Sequence, residues 1–144
     1  METREIQTLE ALGAVAGEVL ASTAAKLRGA AVLALSGDLG AGKTAFVKKL
    51  AEHLGITEEV TSPTFVIMKS YTIPGHPVFQ TLTHIDAYRV DDTDEMRVLG
   101  WAELLQDPTQ IIALEWPERI AEIVPEDAQH IALELTGGMR TITF

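Results

Sequence analysis

The chain has 144 residues, 47% of them apolar, a formal net charge of −10 and no cysteine. That length suits one compact domain, residues 1–144, with a core of respectable size, and the composition excludes a disulfide scaffold or a thiolate-rich metal site. With 11 Lys and Arg against 21 Asp and Glu, no broad basic surface is available for a strong direct grip on nucleic acid, which rests on phosphate neutralisation.

The opening "METREIQTLEALG" is charged, unlike a secretory leader, and nowhere are there ~18 unbroken apolar residues, as a membrane span requires. A soluble cytoplasmic protein that avoids the membrane is expected. From Thr8 to Leu27, residues Leu9, Leu12, Val15, Ala16, Val19, Leu20 and Leu27 recur at helical spacing, and Gly29 helps to end the helix. "AAVLALSG" is an apolar run of strand length, suited to burial on both faces of a parallel sheet. Lys43 to Leu54 predicts a second helix with Phe46, Val47, Leu50, Ala51 and Leu54 on one face and Gly55 as its stop. "PTFVIMKSY" and "PVFQTLTHIDAYRV" are rich in β-branched and aromatic residues, and "TIPGHP" between them carries turn chemistry, which predicts an antiparallel hairpin. The acidic "DDTDEMRVLGWAELL" predicts a short helical region interrupted near Gly100. "QIIALEWPER" is a further buried strand, and "HIALELTGGMRTITF" is a closing hairpin around Gly137 and Gly138. The predicted fold is α/β, with a mixed sheet that is mainly parallel at its centre, flanking helices and antiparallel hairpins.

Within this order, "GDLGAGKT" fits the phosphate-binding pattern GxxxxGK[ST], with a strand before it and a helix after it. Glycines let the backbone curl so that successive N–H groups face phosphate oxygens, and the helix start adds its positive dipole end. The segment Gly37, Asp38, Leu39, Gly40, Ala41, Gly42, Lys43, Thr44 and Ala45 is therefore the expected nucleotide seat, in a P-loop NTPase-like fold. Lys43 would reach the outer phosphates, and the Thr44 hydroxyl would serve Mg²⁺. Glu115 ends the apolar run "IIALE" and could hold Mg²⁺ or its water, or polarise the attacking water; the plain alternative is a surface acid at a strand end. Asp86 in "THIDAYR" is the second candidate carboxylate, with the same alternative. "TSPTF" reads either as a mobile phosphate-sensing loop, with Thr64 or Ser62 offering a hydroxyl, or as an ordinary proline-containing start of a strand.

Other residues receive plainer readings. His84 has no second His or Cys at ligand spacing and reads as a hydrogen-bonded structural residue. Trp101 reads as packing, and the acids Asp91, Asp92, Asp94 and Glu95 as a solvated helix start, because calcium-loop spacing is not satisfied. The chain contains no asparagine, so the Asn-Lys-x-Asp element that reads guanine in common GTPases is missing. Arginines stand scattered at 4, 28, 89, 97, 119 and 140, with no lid segment of the kind a small-metabolite kinase uses. A metabolite kinase and a nucleotide-gated binding module remain the rival classes to an ATPase.

"GDLGAGKT", "TSPTF", "HIDAYR" and "EWPER", in this order and at these separations, resemble the bacterial TsaE family, also called YjeE. The resemblance runs from about Ser36 to Arg119. It implies a small Mg²⁺-dependent P-loop ATPase, binding ATP and ADP and weak alone, that works with the partners TsaB and TsaD to place the threonylcarbamoyl group on adenosine 37 of tRNA. Contact with tRNA would then run through the complex. The family's loop lysine and threonine match Lys43 and Thr44, its metal-binding glutamate Glu115, and its nucleotide-side aspartate Asp86. An arginine beside the nucleotide is nearest to Arg140. The tryptophan after the glutamate is Trp116, for which stacking on a partner and simple packing are equally open. With Thr64 from the reading of "TSPTF" as a loop, the expected catalytic set is Lys43, Asp86, Glu115 and Thr64.

Overall fold

The computed structural model describes residues 1–23 and 29–144. One seven-stranded sheet runs through the molecule in the order β1-β7-β6-β2-β5-β4-β3. Strands β2 (Ala31–Ser36), β4 (Thr81–Asp86), β5 (Gln110–Glu115) and β6 (Gln129–Thr136) form its parallel centre. Antiparallel pairs extend both sides: β3 (Met68–Thr72) on β4, and β7 (Met139–Thr143) on β6 with β1 (Thr3–Ile6) beyond it. Strand β2 is buried along both faces as far as Leu35, as its uninterrupted apolar run requires.

Period-two alternation sends the strand residues into two cores. Leu33, Leu35, Leu82, Ile111, Ala113 and Ile131 face helices α1 (Leu9–Ser22) and α2 (Lys43–His53). Val32, Ala34, Ile85, Ile112 and Leu114 face the opposite layer, built from α3 (Asp94–Val98), α4 (Trp101–Leu105) and the 3₁₀ segment Pro117–Ile123. Helix α1 starts where Thr8 accepts a hydrogen bond from the Ala11 N–H at 3.0 Å and buries Leu12, Val15, Ala16 and Val19. Thr8→Ala is expected to cost about 1 kcal/mol of stability through the lost cap, measurable as a lowered denaturant midpoint with an unchanged slope.

The structure departs from the sequence reading in particular places. Strand β1 was not expected. Only Ile6 of its residues is buried, so local hydropathy carries no signal, and the strand exists because β7 offers it an edge. The predicted strand over 63–71 is a strand only from Met68; residues before it form a turn in which the Val66 and Ile67 N–H groups both reach the Pro63 carbonyl. The first helix ends at Ser22, where Thr23 turns extended (φ −75°, ψ 108°), and not at Gly29; residues 24–27 of the predicted run lie outside the described residues. The break at Gly100 falls between α3 and α4, and Trp101 is buried, its Nε1 donating to the Ile123 carbonyl at 3.1 Å. Among the described residues no helix is long and apolar enough to cross a membrane.

Candidate functional site

The loop between β2 and α2 lies at the carboxyl end of the parallel strands, where a helix N-terminus can face a ligand. Gly37 has φ +144°, and a Cβ built on it would lie 2.3 Å from the Leu133 carbonyl oxygen, so both conformation and β6 demand glycine. Gly42 caps α2 in the left-handed region, at φ 111°. From there the helix turns Lys43 and Thr44 inward. Lys43 is buried at 5% exposure, its Nζ donating to the Gly37 carbonyl and lying 3.7 Å from the Trp116 ring centre. Burial pushes the Lys43 ammonium below its ordinary value, opposed by the charges of Glu115, Glu118, Asp86 and Asp38.

Parallel register puts Asp86 beside Glu115 and Leu35 beside Glu115. Both acids are buried, on the face turned toward α2. The Thr44 hydroxyl is 3.1 Å from Glu115 Oε2. Asp86 is engaged differently: Oδ2 accepts from the Thr64 hydroxyl at 3.1 Å and Oδ1 from the Tyr88 N–H at 2.9 Å. The Ser62 and Thr64 hydroxyls are 2.6 Å apart. With the Thr64 proton committed to Asp86, Ser62 donates to Thr64. "TSPTF" is thus a turn pinned to the second carboxylate, and Phe65 and Val66 at its tip are 87% and 63% exposed.

A cavity of about 270 Å³ is lined by Leu39, Gly40, Gly42, Lys43, Thr44, Ala45, Ser62, Thr64, Asp86, Glu115, Trp116 and Arg140. Most of the predicted site residues therefore meet. Arg140 Nη2 approaches the Gly40 carbonyl at 3.4 Å. Ala41 is buried and lines a neighbouring cavity, and Gly37 contributes its carbonyl to Lys43. Asp38 stands apart, lining a separate cavity beside β6.

Two non-glycine residues with positive φ flank the pocket: Ile67 (69°) at the end of the turn and Trp116 (60°) directly after Glu115. Bulky residues hold such conformations only when their surroundings fix them. Within the chain Trp116 is held by Lys43 above it and by Tyr88 at 5.0 Å between ring centres.

Sequence reasoning did not find the partner of His84. Its Nε2 lies 2.5 Å from Glu115 Oε2, a contact between residues on different strands that no local pattern announces. Spacing gave the only available hint, since His84 and Asp86 are two apart on one strand and share a face.

As donors for a magnesium ion, the Thr44 hydroxyl and the Glu115 carboxylate fit. Among the described residues no group of three or more His, Cys, Asp or Glu could hold a metal. Magnesium commonly keeps several waters and takes one or two protein oxygens together with phosphate, which is the number offered here.

A strand, a glycine loop and a helix, with acids from two adjacent strands closing the loop's mouth, define an α/β protein of the P-loop type. Comparison with known proteins narrows this. The family model for the threonylcarbamoyl adenosine biosynthesis protein TsaE matches residues 5–142, and the chain belongs to the TsaE family. It is 38% identical over 142 residues to the tRNA threonylcarbamoyladenosine biosynthesis protein TsaE of Treponema pallidum, covering 98% of this chain and 96% of that one. The Bacillus subtilis protein of the same name is 42% identical over 123 residues, covering 85% and 73%. The Borreliella burgdorferi protein is 44% identical over 96 residues, covering 67% and 66%. The crystal structure of Bacillus subtilis YdiB superposes with a TM-score of 0.70 at 32% identity, covering 98% of this chain and 82% of that chain.

Proposed function

We propose that this protein binds ATP with magnesium at the Gly37–Thr44 loop and hydrolyses it to ADP, and that the cycle serves threonylcarbamoylation of adenosine 37 in tRNA, together with TsaB and TsaD in the cytoplasm. The observation that carries this reading is the meeting of the Thr44 hydroxyl and the Glu115 carboxylate at 3.1 Å, beside a buried lysine at a helix N-terminus. Family membership supports the pathway.

Each residue has a physical task. Backbone N–H groups from Gly40 to Thr44 cradle phosphate oxygens. Lys43 exchanges its contacts with the Gly37 carbonyl and the Trp116 face for the outer phosphates, a charge-assisted interaction stronger than either. Magnesium, when bound, neutralises phosphate charge at the reacting end. Thr44 and Glu115 hold that position. Asp86 fixes Thr64 at the pocket wall, where its hydroxyl and that of Ser62 can orient a water. Gly42 and Arg140 also line a cavity of about 480 Å³ between the β1–α1 junction and β7, room for the nucleoside next to the phosphate seat.

The test is ATP hydrolysis by the chain alone and with TsaB and TsaD added. Slow turnover alone and faster turnover with the pair is expected, because a residue supplied from outside often stabilises charge on the transferred phosphoryl group. Transfer of phosphate to a small metabolite would point instead to a kinase. Binding with no hydrolysis in any mixture would point to a nucleotide-gated module.

A further inference from the structure

His84 is fully buried and uses half of its hydrogen-bonding capacity. On β4 it shares a face with Asp86, and the register that sets Asp86 beside Glu115 sets His84 beside Ala113, so the imidazole lies diagonally behind the glutamate. Its Nε2 is 2.5 Å from Glu115 Oε2, the same oxygen that the Thr44 hydroxyl approaches at 3.1 Å. A carboxylate oxygen only accepts, so the proton of this bond belongs on Nε2. Nδ1 is buried with no hydrogen-bond partner among the described residues; an unpaired acceptor is better tolerated than an unpaired N–H. A buried polar ring left half satisfied costs stability, and an apolar side chain would fill the same space without that cost. Packing alone does not account for it.

We propose that His84 is a positioning residue for magnesium. Its Nε2–H fixes the rotation of the Glu115 carboxylate, whose side chain has several free torsions, so that the carboxylate stays turned toward Thr44. Asp86 cannot serve this purpose, because its carboxylate accepts from Thr64 and the Tyr88 N–H and has no proton to donate to a second carboxylate. The inference rests on the reading of Glu115 as the acid that serves magnesium. Partners that orient a ligand from behind commonly change metal affinity by about 10–100-fold when removed.

The test uses the full chain and ADP, whose binding is measured by calorimetry with and without magnesium. His84→Leu is expected to leave magnesium-free ADP affinity unchanged and to reduce the gain from magnesium about tenfold. His84→Gln, which retains an N–H donor of similar reach, is expected to recover most of that gain. A wild-type magnesium gain in His84→Leu, or a His84→Gln variant as impaired as His84→Leu, would overturn the proposal. A second readout needs neither nucleotide nor a variant that folds: imidazole ¹⁵N spectra of the wild-type chain should show a protonated Nε2 and a bare Nδ1. Averaged nitrogens, or an Nε2 without its proton, would overturn it as well. A wild-type chain that binds no ADP would instead sink the proposed function, and the nitrogen spectrum would still decide the His84–Glu115 bond.

Discussion

Glu115→Ala is expected to lower ATP turnover at saturating magnesium by at least about a hundredfold, the scale on which loss of one preorganised charge-stabilising group acts. The carboxylate is buried, touches the Thr44 hydroxyl and is held from behind by His84, so no neighbouring acid can swing into its place. Asp86 is the nearest candidate, and its oxygens already anchor Thr64 and the Tyr88 N–H. The two acids therefore separate in experiment. Glu115→Ala should weaken nucleotide binding more in the presence of magnesium than in its absence. Asp86→Ala should release the 62–67 turn and slow turnover while the magnesium dependence of binding persists. Steady-state kinetics with a magnesium titration checks both, and identical profiles for the two variants would remove the division of labour.

Lys43→Met is expected to reduce ATP affinity at least about tenfold, the loss of one charge-assisted contact of roughly 1.5–3 kcal/mol. The same change should not destabilise the nucleotide-free protein. Burial lowers the Lys43 ammonium from its ordinary value, so between the folded and unfolded values the unfolded chain binds more protons, and stability rises with pH across that window. Below it, the cost of burying the charge is fully present. Methionine has similar reach and carries no such cost. An unfolding midpoint at neutral pH equal to or above that of the wild type, together with weakened ATP binding in calorimetry, is the expected pair of results. A folded variant with unchanged ATP affinity would remove Lys43 from the site.

The strand, glycine loop and helix from Ala31 to His53 were legible in the sequence because everything that makes them is local: an apolar run, glycines at fixed offsets and a helix that starts at the lysine. Glu115 and Asp86 were legible as acids ending strands, and parallel pairing then made them neighbours. The turn at 64–67 was legible only as one of two readings of "TSPTF", the other being the start of a strand. Phe65 and Val66 have strong strand propensity, yet they are exposed and the backbone instead closes on Pro63, so tertiary context overrode propensity. Strand β1 was hidden for the converse reason, since its pairing with β7 depends on the far end of the chain. The bond between His84 and Glu115 depends on strand order and register together, and neither is written in the spacing of either motif. Arg140 was reached through family resemblance, and the structure brings it to the Gly40 carbonyl because the final hairpin pairs through β6 with β2, the strand that leads into the loop.

The central claim is that ATP held at the Gly37–Thr44 loop drives tRNA modification. Its most direct test is threonylcarbamoyladenosine formation over multiple turnovers in a reaction reconstituted with TsaB, TsaD and tRNA, supplied in turn with the wild-type chain, the Lys43→Met variant or neither. Sustained modification with the wild-type chain and ATP, and its loss in the other two reactions, is the predicted result. Full multiple-turnover modification with Lys43→Met, or with the chain omitted, would contradict the account.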